Sequence, residues 1–538
     1  MKKKFLVLIT LALFALSVLT LTSCKLKLGG TNDDDDSDDP SGPVIPTGEY
    51  GLLYEINDEG TYAVYADPAL KDNITNVSIP HYHNDIEVTE IKSDAFSYCR
   101  NLKSIRIPDG VTEIGSSAFA SCESLEMINI PDLVTRVGRF AFANCTSLES
   151  VHVSYALDYL GDFAFENCTS LKTIVVPGGV GHVYEYTFSG CASLTSVTLQ
   201  SGIYQIDEEA FSYCTSLKSI TIPDTVNSIG PRILKGCSAL ESLTLPFIGE
   251  DRADFVYSGN FPLGYVFGTQ AFEGATQVYQ KYFDGYANDY AVCIFYIPDS
   301  LTKVAVTDGV IPIGAFSACT NLKYVTIPAD TVEIPDYAFY GCSSLDQFTI
   351  PESVTRIGDS AFYCCASLPD VITIPDNVTE IGNEAFKLCT KFANLSLGNS
   401  VETIGESAFS CCTNLSFIML PDSLVTLGKN AFSDCTSASI LTLGDNITSI
   451  PEGAFKNCLN LSNIYLNDNV YSIGDYAFSG CSNATSIVIP TCTSYIGERA
   501  FADCRSLTIY YGGFEPHPFW HEYWNPNAAY VVWGYNPG

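Results

Sequence analysis

EEAFSYCTSLKSITIPDTV (residues 208–226) decides how the rest of the chain is read, because near-copies of it recur along most of the 538 residues. Its Phe211 belongs to a series at Phe96, Phe119, Phe142, Phe165, Phe188 and Phe211, spaced by 23, with Leu234 in the next place. The series resumes at Phe316, Phe339 and Phe362, steps once by 24 to Phe386, and continues at Phe409, Phe432, Phe455, Phe478 and Phe501. A Cys stands three residues after each of these positions. A fixed period in fixed register marks one elongated array whose units pack on their neighbours, not several independent domains.

Within a unit, Ile220-Thr221-Ile222 alternates with the period of a short strand buried on one side. Pro223 has no amide to donate and closes that strand. Glycines such as Gly115, Gly138, Gly358, Gly405 and Gly474 stand where the chain bends, and a positive φ is expected of them. The AFxxC segment is too short for a long helix and reads as one helical or 3₁₀ turn with Phe and Cys facing inward. One coil buries too few apolar side chains to offset the ordering of its own backbone, so it cannot fold alone. Stacking supplies the missing hydrogen bonds and covers each coil's open faces.

Units such as SLKSITIPDTVNSIG, joined to AFSYC, resemble the leucine-rich repeats of bacterial BspA-like proteins over residues 86 to 510. No Asn ladder follows the strand, and Pro holds the strand end instead, which favours the BspA-like subtype. The resemblance implies a repeat solenoid of about seventeen coils. Its form would be a right-handed, curved leucine-rich-repeat β/α superhelix with short parallel strands on the concave face, and binding is the family's usual trade.

The ends and one interior stretch leave the period. Residues 1–23 read as an export signal, with Lys2, Lys3 and Lys4 before an apolar run. The LTSC that ends at Cys24 resembles a bacterial lipobox, which implies lipid attachment at Cys24 and a mature protein held on the bacterial envelope, exposed at its surface. Residues 24–47 are an acidic, disordered tether, and 48–85 hold a hairpin-like N-terminal cap. Repeats fill 86–245 and 301–510, separated by an irregular enlarged repeat at 246–300 in which Phe272 resembles a degenerate repeat Phe. Residues 511–538 hold all three Trp and read as an aromatic C-terminal cap.

With 61 Asp and Glu against 27 Lys and Arg, the net charge is −34. Such a body repels nucleic acid and anionic bilayers, so any membrane contact runs through the N-terminal lipid. The ladder cysteines, stacked parallel at about the strand spacing of 4.8 Å, suit free buried thiols acting as small apolar filling better than disulfides. No C-x₂-C pair exists for zinc. His517 and His521 stand four apart, but Pro516 and Pro518 argue against a helix there. Glu208 and Glu209 read as hydrated carboxylates on a turn. No nucleophile elbow, zinc-protease helix or phosphate loop is present. Catalytic residues, metal ligands and cofactors are therefore not assigned.

More informative are the strand residues between the buried pairs. They form a column rich in Thr, including Thr326, Thr349 and Thr373, and Phe417, Met419 and Tyr465 add large side chains facing the same way. These six are the candidate ligand-facing residues. The expectation is a monomeric, non-enzymatic surface lipoprotein that binds an extracellular or host-surface protein or glycan in adhesion. The alternatives are an envelope scaffold without soluble ligand and, third, a hydrolase whose site lies in 246–300 or in the aromatic tail.

Overall fold

The computed structural model describes residues 51–252, 261–283, 290–527 and 529–536. The signal stretch, Cys24, the tether and the first three residues of the N-terminal cap lie outside the described residues. One compact unit spans Thr47–Gly538. It is a β-solenoid of about 20 turns with almost no helix, the caps and the irregular stretch adding turns that lack the Phe–Cys signature. Among the described residues the helical elements are three 3₁₀ turns, Lys71–Asn73, Gly178–Val180 and Leu263–Val266.

The Ile-Thr-Ile alternation builds a ladder of short parallel strands, one per coil. Ser219–Thr221 lies beside Ser242–Leu245 with Ile220 opposite Leu243 and Thr221 opposite Thr244. Eight such strands, from Met127–Asn129 to Tyr324–Thr326, form one sheet. A second, shorter strand in most coils, such as Glu113–Ile114 beside Arg136–Val137, forms another parallel ladder after the bend. Between the ladders run the phenylalanines. Phe96 and Phe119 stack with centroids 5.3 Å apart, and Phe386 sits 5.0 Å from Phe362 and 5.2 Å from Phe409. Each ring fills the slot above the previous one, which explains the conserved register within the chain.

The AFxxC segment is not the helical turn expected of it. Alternate amides reach into the next coil: Asp94, Phe96 and Tyr98 donate to the carbonyls of Ser116, Ala118 and Ala120 at 2.9, 2.7 and 2.8 Å. Between them, the Ser97 and Cys99 amides close local turns on the carbonyls of Asp94 and Phe96. This alternation needs left-handed backbone two residues before and after Phe, as at Asp94 (φ 57°) and Tyr98 (φ 62°), and again at Phe140 and Asn144. A helix would spend those amides within its own coil and leave the coils unlinked.

The glycine expectation is also corrected. Gly115, Gly138, Gly358, Gly405 and Gly474 do not have positive φ. A Cβ on Gly405 would lie 2.6 Å from the Asn383 amide nitrogen, and one on Gly138 2.5 Å from that of Ser116. Glycine is required there because the backbones of successive coils touch.

Every cysteine among the described residues is a free thiol. The ladder thiols do more than fill space. Cys145 Sγ donates to the Phe119 carbonyl at 3.1 Å, and the same oxygen accepts the Cys122 amide at 3.1 Å. Both acceptor positions of a buried carbonyl are thereby used, one within the coil and one by the next.

At 246–300 the strand ladder stays in step, since Ser242–Leu245 pairs directly with Lys303–Val306. The chain between them contributes the 3₁₀ turn Leu263–Val266 and an antiparallel hairpin, Ala275–Phe283 with Tyr290–Pro298. Phe272 is only half-buried. Phe267, wholly buried, takes the repeat slot instead: the Leu234 amide donates to the carbonyl just before it, at Val266, at 2.8 Å. Gln280, also wholly buried, pins the hairpin by accepting the Gly264 amide at 2.8 Å and donating to the Ser317 carbonyl at 2.9 Å. Glu209 is not a hydrated turn carboxylate; it is buried and accepts from Arg232 Nε at 3.0 Å and Lys235 Nζ at 3.1 Å.

At one end the hairpin Leu52–Ile56 with Tyr62–Ala66 lies beside Ile86–Ile91. At the other, Trp524 meets Phe501 edge-on at 6.0 Å, and Trp520 Nε1 donates to the Thr493 carbonyl at 3.2 Å.

Candidate ligand-binding face

Because successive strand residues point to opposite sides, the ladder from Ser104–Arg106 to Tyr530–Trp533 buries its middle residues and turns the flanking ones outward. None of those outward residues is Asp or Glu, although the chain has 61 acids. The charged ones are Arg106 and Lys303, with His152 beside them in kind. Carboxylates instead occupy the turns and the second ladder, where Arg356 meets Glu333, Asp336 and Glu380.

The six candidate residues fall into two groups. Met419 and Tyr465 share one column with Thr442 between them, and Phe417 stands in the neighbouring column. Their exposures of 65%, 58% and 42% leave these three as an apolar patch. Thr349 and Thr373 are exposed and Thr326 half-buried, several coils away. Over Ser196, Thr198, Ser219, Thr221 and Thr244 lies a shallow depression of about 520 Å³, and none of these five hydroxyls bonds to a described residue.

The Thr326 group flanks a break in the ladder. Tyr324–Thr326 ends the eight-stranded sheet with a single bridge from Tyr324 to Gln347, and pairing resumes only at Val371–Thr373 with Asn394–Ser396. Two sequence features mark it. The middle strand residue is Ile, Leu or Val in every other coil from Ile105 to Ile509, but Phe348 stands in this one. Its half-buried ring lies 4.7 Å from Phe339 and 5.4 Å from Phe362, tilted to both. The next coil carries an extra residue at Leu368-Pro369-Asp370, which is the origin of the single 24-residue step. A recess of about 650 Å³ opens there, lined by Tyr324, Thr326, Gln347, Phe348, Thr349 and Val371. A cavity of about 120 Å³ shares Phe348 and Val371 with it and reaches Phe362 and Phe386. The Oδ1 of Asp346, on the recess wall, is buried without a hydrogen-bond partner among the described residues. The period-two reading located Thr326, Thr349 and Thr373 but missed the recess; Phe348 and the 24-residue step were its signals.

Elsewhere the ladder thiols are buried, while Cys492 is exposed and Cys293, Cys364 and Cys411 are half-buried. Burial pushes Cys145, Cys191 and Cys237 up to about 12, far from a nucleophilic thiolate. His517 and His521 each accept a backbone amide through Nδ1, from Phe519 at 3.4 Å and Tyr523 at 3.1 Å.

Stacked parallel strands, one per 23-residue coil and presenting an acid-free face, define a leucine-rich-repeat solenoid. The sequence profile described as BspA type leucine rich repeat region (6 copies) matches residues 69–193, 181–261, 309–438 and 402–512. The chain belongs to that family. Comparison with curated proteins gave no match. Among solved structures it is similar to a leucine-rich repeat protein from Bacteroides ovatus (25% identity, 83% of this chain and 95% of that one, TM-score 0.36). It is also similar to a leucine rich cell surface protein from Faecalibacterium prausnitzii (27%, 79% and 96%, TM-score 0.32) and to the pneumococcal vaccine antigen PcpA (17%, 90% and 98%, TM-score 0.25). No helix among the described residues is long and apolar enough to cross a membrane.

Proposed function

We propose that this chain is a non-enzymatic, lipid-anchored surface protein whose strand face binds an extracellular protein or glycan in adhesion. The observation that carries the reading is the acid-free outward face of the strand ladder in a chain of net charge −34. With no Asp or Glu among the outward strand residues, and carboxylates such as Asp224 and Asp346 only at their margins, covering that column carries a lower desolvation cost. The apolar patch at Phe417, Met419 and Tyr465 supplies anchors of the kind that dominate interfaces. The LTSC motif at Cys24 supports the anchor, and the family supports the surface location.

The test is capture of immobilised extracellular-matrix proteins and mucin by the full chain, alongside a Met419→Ala/Tyr465→Ala variant. Capture at micromolar concentration that weakens at least about tenfold in the variant supports the reading. Capture of nothing overturns it in favour of an envelope scaffold.

A further inference from the structure

The geometry points to a saccharide site in the ladder break between Tyr324–Thr326 and Val371–Thr373, built to hold an uncharged sugar unit of a glycan. The inference rests on the strand face being a ligand surface and names the chemistry of the recess at its break. Three observations converge. The recess, about 650 Å³, is of a size that encloses a small ligand. Its walls combine apolar surface from Phe348, Val371, Pro351 and Pro369 with polar groups from Asp346, Gln347, Thr326 and Thr349. The polar groups are unspent: the side chains of Gln347, Thr326 and Thr349 make no hydrogen bond to a described residue, and Asp346, whose Oδ1 lacks a described partner, is half-buried in the wall.

A sugar ring matches that inventory. Its C–H face covers apolar wall, and its hydroxyls donate to carboxylate and amide oxygens while accepting from the amide N–H and the threonine hydroxyls. Other occupants fit less well. An extended peptide added as a strand needs a run of free edge amides, but the strands at the break are three residues long and prolines 351 and 369 flank it. An anionic ligand meets Asp346 and the field of a −34 chain.

The experiment is saturation-transfer NMR and calorimetry on the full chain with cellohexaose, xylohexaose, N-acetylchitohexaose and desialylated mucin glycans as probes. Variants are Asp346→Asn and Gln347→Ala, checked for unchanged far-UV circular dichroism, with Lys429→Ala, exposed in a turn beyond the second ladder, as the control outside the recess. Binding of at least one probe, weakened about tenfold or more by each recess variant and untouched by the control, is expected. Binding indifferent to both recess variants overturns the site. Absence of saccharide binding with retained capture of matrix protein overturns it while leaving the strand-face reading intact; absence of both removes the two together.

Discussion

Raising the pH from about 7.5 to about 9.5 is expected to strip this protein of much of its stability, through the thiol ladder. Cys145, Cys191, Cys237, Cys342 and Cys458 are enclosed, and burial pushes each up to about 12. In the unfolded chain a thiol ionises near ~8.5. The folded value is the raised one, so the contribution of these thiols is full below pH ~8.5 and is lost as the pH climbs toward the folded value. At pH ~9.5 each thiol, still protonated in the fold but mostly ionised when released, costs the folded state on the order of 1 kcal/mol. Any folded value well above ~10 gives nearly the same figure. Five such thiols amount to several kcal/mol, comparable with the whole stability of an ordinary domain. Cys214 and Cys435, raised further by the same burial, push the same way. The assay is urea unfolding followed by circular dichroism at pH about 7.5, 8.5 and 9.5, with reductant and about 0.5 M salt to screen carboxylate repulsion. An unfolding free energy that changes by less than ~1 kcal/mol across this range would refute the reasoning.

Three further perturbations test the packing. Phe386→Ala opens a hole between two stacked rings and is expected to cost ~3–5 kcal/mol in urea unfolding. Gln280→Leu leaves the Gly264 amide buried and unpaired and the Ser317 carbonyl with only the Cys319 thiol; a loss of ~2–3 kcal/mol is expected, and one below ~1 would show that the hairpin is not pinned through this residue. Phe348→Ile should cost less than ~1.5 kcal/mol, because the ring is only half-buried and other coils carry Ile there, and hydrogen exchange of the amides at 347–350 and 371–373 should slow as the ladder closes.

What could be read from the sequence was whatever repeats as a side chain. Phe211, Cys214 and Ile220 occupy equal slots in equal coils, so their spacing alone orders the core and the strands. What could not be read belongs to the backbone. Nothing in the composition of Tyr98, Phe140 or Arg499 announces a left-handed residue, because the ladder to the next coil overrides local preference there. Gly138 was visible but its reason was not, since a distance between two coils is absent from either coil's sequence. The hairpin at 275–298 was masked by its own outer face: Tyr279, Val292 and Ile294 are exposed, so the apolar alternation blurs. In the candidate face, period two located the Thr column, but the recess is marked by one oversized ring and one extra residue, exceptions that a reading of the average repeat smooths away.

The column of rings has a further bearing on how copies of this chain meet. A pile of equivalent layers is complementary to itself, its top fitting its own underside, and such head-to-tail contacts extend without limit into filaments. Trp524, set crosswise to Phe501, gives the last layer a shape that the first does not match, and the hairpin Leu52–Ile56 with Tyr62–Ala66 covers the opposite end. Closed ends of this kind oppose head-to-tail growth in stacked-layer proteins, so deleting either is expected to raise the mass seen by light scattering.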